Sequence, residues 1–206
     1  MKRYVMAGFA AGAAMMIGGA LAAVSGDSPA RPQAAPDAEV MNPMIAGQAM
    51  LASRNLMDNI SASPEHSVLV AAMKESGVAD ALKADGELTV FAPTNAALAA
   101  LPAQSLERDK SQLARLMGYL VVPGRYDSQK LLAAIGQGGG QARLRTVEGG
   151  VLLARMNGPT NVVLMDENGN TADIAIYDVY DKNGVMHVED HMLEPGAPAR
   201  QVAGSR

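Results

Sequence analysis

Near the C-terminal end, the sequence has two histidines and a glutamate, which are residues that commonly bind zinc. His187, Glu189 and His191 alternate in the order His-x-Glu-x-His. On a helix the two imidazoles would share a face and could chelate zinc. The flanking valines favour a strand, where residues four apart lie about 13 Å from each other, too far for one metal ion. We therefore expect no metal site and interpret His187 as a buried, hydrogen-bonded histidine, with Thr94 or Asn95 as its partner.

Two other sequence patterns could indicate a metal site. Residues 166–170 (DENGN) resemble the start of a calcium loop, but an EF-hand needs glycine at its sixth position and glutamate at its twelfth. Here Gly169 is fourth and Tyr177 is twelfth, so an Asn-Gly hairpin explains the composition. The chain also has 14 methionines, yet none groups closely with His66, and methionine commonly fills cores. We expect no metal and no other cofactor.

Enzyme motifs are hard to find in the sequence. It has no Gly-x-Ser-x-Gly elbow and no cysteine nucleophile, and the glycines of residues 136–140 lack the lysine and hydroxyl residue of a phosphate-binding loop. The carboxylates are scattered along the chain, so a hydrolase that groups them in space is the weakest alternative. We expect a protein that is not an enzyme.

The composition limits the possible partners. The 206 residues carry a formal net charge of -4, no cysteine, 49% hydrophobic residues and only 3% aromatic residues. The core must therefore be aliphatic. A mildly acidic chain lacks the clustered cations that neutralise phosphates, so we expect no nucleic acid partner. The absence of cysteine excludes disulfides and lipid anchoring through a cysteine.

The N-terminal residues predict export. Lys2 and Arg3 precede an uncharged apolar stretch, and Ala20-Leu21-Ala22 has the pattern of a small-x-small cleavage site. We interpret residues 1–24 as a signal peptide, with an uncleaved membrane anchor as the alternative. Either interpretation places the protein in the periplasm or at the cell surface or outside it. Membrane contact is expected only through this segment, if it is uncleaved.

The remaining chain divides into a linker, a domain and a tail. Residues 25–43 are rich in proline and alanine and predict a disordered linker. Residues 44–195 predict one folded domain. Residues 196–206 predict a second disordered segment.

The elements that position the candidate residues change character midway along the domain. The first half has helical spacing, with helices predicted to end near Ile60, to span 66–76 and 113–120, and to begin at Asp127 or Ser128 and end at Gly136. The second half alternates with period two. It predicts strands over residues 143–147, 151–156, 161–165, 171–177 and 185–192, with an earlier strand over 87–92. Gly149-Gly150, Asn168-Gly169 and Asn183-Gly184 predict hairpin turns with positive φ. Helices followed by strands predict an α+β fold.

The chain resembles the fasciclin domain family in three segments that occur in the family's order. Residues 89–98 (TVFAPTNAAL) are similar to the first signature motif and residues 183–195 (NGVMHVEDHMLEP) to the second. Residues 119–126 (YLVVPGRY) resemble the Tyr-His segment between them, although Leu120 replaces the histidine. Physically, the first segment is a strand that buries Phe91, ends at Pro93 and continues into a helix capped by Thr94.

The resemblance implies a fold and a class of function. We expect a fasciclin-like twisted β-wedge or sandwich with N-terminal helices packed on it, of the bacterial, secreted, single-domain type. The implied role is adhesion through a surface or matrix protein or glycan, including biofilm contacts. The alternative is a carrier of an apolar small molecule, carotenoid-like or lipid-like. It would need an apolar cleft lined by residues such as Leu120, Val121, Leu131 and Met156.

The candidate residues fall into two groups. Candidate binding residues lie on or beside the turn that Pro123 and Gly124 form, which we expect to present side chains outward; they are Tyr119, Arg125 and Tyr126. Motif residues with an expected structural role are Phe91, Pro93, Thr94, Asn95, Pro123, Gly124, Gly184, His187 and Asp190.

Overall fold

The computed structural model describes residues 42–83, 86–102 and 109–196. The predicted signal peptide, most of the predicted linker and the tail beyond residue 196 lie outside the described residues. Among the helices of the described part, none combines the length and the apolar character that a membrane span requires.

The helices of the described residues belong mainly to the first half of the domain. They are α1 (Leu56–Ala62), α2 (Ser67–Ser76), α3 (Val78–Ala81), α4 (Asn95–Ala99), α5 (Lys110–Tyr119) and α6 (Ser128–Gln137), with a 3-10 turn at Pro64–His66. Side-chain caps fix where several begin. The Thr94 hydroxyl accepts from the Ala97 N–H at 3.2 Å, and the Asp127 carboxylate accepts from the Lys130 N–H at 2.8 Å. The predicted helix start at Asp127 is confirmed, but α6 continues one residue past Gly136.

The strands form a two-stranded hairpin and a seven-stranded sheet. The hairpin is β1 (Met44–Ile45) with β2 (Gln48–Ala49). The sheet contains β3 (Leu88–Pro93), β4 (Val121–Pro123), β5 (Gln141–Arg145), β6 (Val151–Asn157), β7 (Asn161–Met165), β8 (Thr171–Asp181) and β9 (Gly184–Glu189). Its order is β4-β3-β9-β8-β7-β6-β5. The sequence did not predict β4, and it placed the end of β9 three residues too late.

The early strand β3 lies inside the sheet and not at its edge. It pairs in parallel with β9 and antiparallel with β4. The parallel register sets Phe91 opposite His187 and Pro93 opposite Glu189. The two segments that resemble the fasciclin signatures, about 90 residues apart in the chain, are therefore neighbours in the sheet.

The sheet curls and separates two aliphatic cores. Its outer strands β4 and β5 meet, because the Val147 N–H just after β5 donates to the Val121 carbonyl at 2.8 Å. The first core includes Leu69, Met117 and Met186 and lies between the helices and the sheet. The second includes Phe91 and Leu164 and lies within the curl. The predicted α+β wedge with helices packed on it is confirmed.

The sequence predicts positive φ angles at three hairpin turns that contain glycine, and two of the turns have them. Gly149 and Gly169 adopt φ of 104° and 88°. The third turn lies at the hairpin between β8 and β9, but Gly184 does not adopt a positive φ, so that part of the prediction is wrong. A Cβ at Gly184 would overlap the carbonyl oxygen of Leu88 and lie 2.8 Å from a methyl of Leu56. This glycine is required by the close approach of β9 to β3, not by a turn.

Candidate functional site

His187 lies where the two signature segments meet. Its side chain is fully buried on β9. The imidazole stacks on Phe91 of β3, with ring centroids 5.6 Å apart at an interplanar angle of 21°. Tyr177 of β8 presents its ring at 5.9 Å and 74°. His187 therefore packs as an aromatic ring between two strands.

Both imidazole nitrogens of His187 bind backbone groups. The Asp178 N–H donates to Nδ1 at 3.3 Å, so Nε2 carries the proton and donates it to the Tyr126 carbonyl at 2.7 Å. Burial lowers the pKa of His187 below its usual value. The ring is thus neutral and links β9 to β8 and to the turn after β4.

The partner that the sequence predicted for His187 is wrong. Thr94 caps α4 instead. Asn95 accepts from the Val68 N–H at 3.0 Å and donates to the Pro64 carbonyl at 2.9 Å. Both residues follow the end of β3 and turn toward the helices, whereas His187 pairs with Phe91 within the strand. Asn95 therefore fixes the start of α2.

The turn segment, which we define as residues 123–127, is held by β3 and by the chain that leads into it. The Thr89 hydroxyl donates to the Gly124 carbonyl at 2.6 Å and accepts from the Tyr126 N–H at 2.8 Å. Gly124 has φ of 95°, and its N–H donates to the Glu87 carbonyl at 2.7 Å. One threonine thus fixes both sides of a left-handed glycine.

The expectation that the turn presents Arg125 and Tyr126 outward needs correction. Both are half-buried. The Arg125 guanidinium donates to the Asp181 carbonyl at 3.2 Å, and its Nε lies 3.4 Å from the Glu87 carboxylate. The Lys130 ammonium lies 4.6 Å from the centre of the Tyr126 ring. Both side chains therefore already make contacts within the domain.

The placement of Tyr119 among the binding residues is also corrected. This side chain is fully buried at the end of α5. Its hydroxyl donates to the Val151 carbonyl at 2.9 Å, and burial raises its pKa. Gly150 makes room for the ring, since a Cβ there would lie 2.7 Å from it. Tyr119 is a core residue that joins α5 to the hairpin between β5 and β6.

Asp178 is a structural residue that the sequence analysis missed. It has φ of 57° and lies within a bulge, between Ile176 and Val179, in the pairing of β8 with β9. Its carboxylate accepts from the Ser128 N–H at 2.7 Å and from the Ser128 hydroxyl. Asp178 directly follows the strand predicted over residues 171–177, whereas β8 continues to Asp181. An aspartate is uncommon inside a strand and could have signalled a bulge there. Asp178 connects β8 to the start of α6 while its own N–H binds His187.

Two buried carboxyl groups have raised pKa values. Burial raises the pKa of Asp181 from 3.8 to about 7, opposed by a hydrogen bond from Asn59 and by the charge of Arg125. Glu189 is fully buried, and neither of its oxygens has a hydrogen-bond partner among the described residues. Burial raises the pKa of this carboxyl well above its usual value. Because the unfolded chain ionises these groups at lower pH than the folded chain, their effect is to lower stability as the pH rises. For Asp181 this window runs from about pH 4 to about pH 7.

The two histidines of the His-x-Glu-x-His pattern do not face a common point. His187 is buried on β9, whereas His191 lies beyond the strand with its side chain 65% exposed. Its Nδ1 lies 2.8 Å from the carboxylate of Asp190. Asp190 in turn accepts from the Asp173 N–H at 2.9 Å and extends the contact between β9 and β8. Across the described ranges, no three His, Asp or Glu side chains are arranged to hold a metal ion.

The residues expected to line an apolar cleft do not share one. Leu120 and Val121 are buried in the first core, while Leu131 and Met156 belong to the second. Among the described residues, one open cleft of about 370 Å³ runs beside Tyr126 between α6 and β5. Another, of about 340 Å³, lies beside Leu132 and Tyr177.

Comparison with known proteins identifies the family. The fasciclin domain model matches residues 64–195. Protein sll1483 of Synechocystis sp. is 37% identical over 158 residues, which are 73% of this chain and 79% of that protein. Transforming growth factor-beta-induced protein ig-h3 of Sus scrofa is 31% identical over 154 residues, 72% of this chain and 20% of that protein. The FAS1 domain pair from the insect cell adhesion molecule Fasciclin I aligns with a TM-score of 0.49 and 20% identity, over 60% of this chain and 43% of that one. The chain belongs to the fasciclin domain family.

Proposed function

We propose that this chain is an exported, non-catalytic binding module that supports cell-surface, matrix or biofilm adhesion by recognising a protein or glycan. The observation that carries the proposal is the fasciclin domain match over residues 64–195, because the family resemblance implies adhesive contacts. The lysine and arginine at the N-terminus and the apolar stretch after them support export to the periplasm or the outside of the cell.

The placement of the titratable groups supports a non-catalytic role. Catalytic acids and bases with perturbed pKa values typically sit in clefts that a substrate can enter. Here Asp181, His187 and Glu189 have shifted pKa values and are buried at 3%, 0% and 0% exposure. Each of these groups is enclosed by the cores or by the strands that join them.

The surface beside the turn segment is the best candidate for the contact. The cleft of about 370 Å³ places Tyr126 beside the amides of Gln137 and Gln141 and the guanidinium of Arg143. These are hydrogen-bonding groups at the rim of a rigid sheet, a suitable arrangement for recognition.

Bead attachment tests the proposal. Beads coated with the purified chain are mixed with cells of the organism that produces it, and bound cells are counted. Matched beads carry the same mass of chain coated after unfolding in urea. We expect the folded coat to retain more cells than the unfolded coat. Equal retention on the two coats would refute an adhesive role for the folded domain.

Native mass spectrometry, with an absorbance spectrum, separates adhesion from ligand transport. The protein is purified from its own exported fraction. A mass that corresponds to the chain alone supports the adhesive module. The same mass gives the first residue of the mature chain and so reports whether the predicted signal peptide is removed. A copurifying apolar molecule or pigment would favour the carrier alternative and direct mutations to the clefts beside α6.

A further inference from the structure

Three arginines lie on the outward side of the curled sheet. On β5 and β6 the side chains alternate between the second core and the outside, and Arg143, Arg145 and Arg155 point away from the core and are exposed. On the same side, Leu153 lies opposite Arg143 and Met165 of β7 lies opposite Leu153; both are half-buried. We call these five residues the arginine face.

These arginines have no counterions among the residues that the structure describes. Arg143, Arg145 and Arg155 make no hydrogen bond or ion pair with any of the described residues. Arg115 differs, since it binds Glu148 at 2.5 Å. Three unpaired cations grouped on one sheet face are unexpected in a chain with a net charge of -4. They are available to an anionic partner.

Three carboxylates of the neighbouring strand and turns have hydrogen-bond partners of their own. Asp173 accepts from the Asn161 amide at 2.7 Å, and Glu148 binds Arg115 on the other side of the hairpin. Glu167 accepts from the N–H of Gly196 at 3.0 Å. Of these three, only Glu148 is paired with a cation within the described part of the chain, so the charges of Asp173 and Glu167 partly offset the positive potential of the arginine face.

The sheet register sets the spacing of the guanidinium groups. Arg143 and Arg145 are two apart on β5, so their Cα atoms lie about 7 Å apart. Arg155 pairs with Gln141 and is diagonal to Arg143, at about 7–8 Å. A guanidinium binds carboxylates and sulfates through two parallel hydrogen bonds. The array suits a ligand with anions repeated along its length.

The cleft beside Tyr126 is continuous with the arginine face. Arg143 lines both, and Gln137 and Gln141 supply amide donors and acceptors inside the cleft. Amides of this kind bind sugar hydroxyls. Insertion into lipid is a poorer fit, since Leu153 and Met165 are half-buried and project little apolar surface. Repeated anions together with hydroxyl groups describe an acidic polysaccharide.

We propose that the arginine face and the adjoining cleft bind an acidic polysaccharide, one that carries uronate carboxylates or sulfates. The inference rests on the proposed adhesive function and names the chemistry of its partner. The contacts are charge-assisted hydrogen bonds, so binding weakens as the salt concentration rises.

The test uses alginate as the acidic polysaccharide and dextran as the neutral one. Binding of the purified full chain is measured by retention on beads that carry each polymer. The variant Arg143→Gln/Arg145→Gln/Arg155→Gln removes the three charges. Its matched control, Lys74→Gln/Lys110→Gln/Lys182→Gln, removes three exposed charges from other parts of the surface. Circular dichroism checks that both variants fold.

The proposal predicts a specific pattern of binding. The wild type binds alginate and not dextran, and the arginine variant loses affinity by about tenfold or more, while the lysine variant changes by no more than about threefold. Equal losses in the two variants would overturn the proposal by showing attraction to net charge alone. Beads that carry polyglutamate are a third ligand in the same measurement, and stronger binding to them than to alginate would overturn the proposal in favour of an acidic protein. If alginate is not bound while the coated beads still retain cells, the inference fails and the adhesive function stands.

Discussion

Replacement of His187 by alanine tests whether the two signature segments hold each other in place. The imidazole donates to the Tyr126 carbonyl and accepts from the Asp178 N–H, and its ring fills the space between Phe91 and Tyr177. In the His187→Ala variant, both backbone groups lose their partner and the rings lose a packing surface. We expect the variant to be strongly destabilised.

The magnitude follows from these losses. Each buried backbone group left without a partner costs about 1–3 kcal/mol. The cavity left between two aromatic rings adds about 1 kcal/mol or more. The sum is about 3–7 kcal/mol, against a total stability of about 5–15 kcal/mol for a domain of this kind. His191→Ala is the matched control, because that side chain is 65% exposed and its contact with Asp190 is worth less than about 1 kcal/mol.

Urea unfolding followed by far-ultraviolet circular dichroism measures both variants. The free energy of unfolding should fall by several kcal/mol for His187→Ala and stay near that of the wild type for His191→Ala. A His187→Ala protein as stable as the control would refute the role assigned to the imidazole. Burial of His187 by itself lowers stability as the pH falls below about 6.5, since the unfolded chain then binds a proton that the buried imidazole resists; this effect is opposite in sign to that of Asp181.

Two further sets of measurements test the close packing at Gly184 and the raised pKa of the buried Asp181 carboxyl. Gly184→Ala should lose about 1–3 kcal/mol in urea unfolding, because a Cβ would overlap the Leu88 carbonyl. Gly136→Ala, on α6 with no atom within 4 Å of the added Cβ, should gain about 0.5–1 kcal/mol; a loss of similar size in both would refute the steric explanation. Asp181→Asn should stabilise the protein by about 1–3 kcal/mol at pH 8, because an ionised Asp181 would be buried, and by nearly nothing at pH 4, where Asp181 is neutral. An effect independent of pH would refute the raised pKa.

The local elements could be predicted from the sequence because their signals are local. Thr94 and Asp127 cap helices through hydrogen bonds to residues three positions ahead, a spacing that is visible in the chain. Strand β5 alternates buried and exposed residues, with Ala142 and Leu144 buried between exposed neighbours, which is the period-two pattern visible in the chain. The motif resemblance supplied the fold class, since the order of the segments constrains how helices and strands combine.

The long-range contacts could not be predicted, because they depend on residues far apart in the chain and no local sequence pattern indicates them. β3 lies between β4 and β9 and pairs in parallel with β9, although the chain follows β3 with helices. That register places His187 next to Phe91 and out of reach of Asn95. The position of Asp178 depends on a bulge that forms only when β8 meets β9. The outward face of the sheet likewise emerged only once the register of β5 against β6 was known.

Polar side chains that already have hydrogen-bond partners within the domain maintain the fold, whereas exposed polar side chains without such partners are free to bind another molecule. In the signature segments, His187 and Asn95 have their hydrogen bonds completed within the domain. The half-buried Arg125 is also engaged internally. A partner that bound these groups would have to displace contacts that stabilise the domain, at a cost of several kcal/mol. The exposed guanidinium groups of Arg143 and Arg155 carry no such cost. Recognition is therefore expected to vary with the residues of this sheet face, while the signature residues preserve the scaffold that presents them.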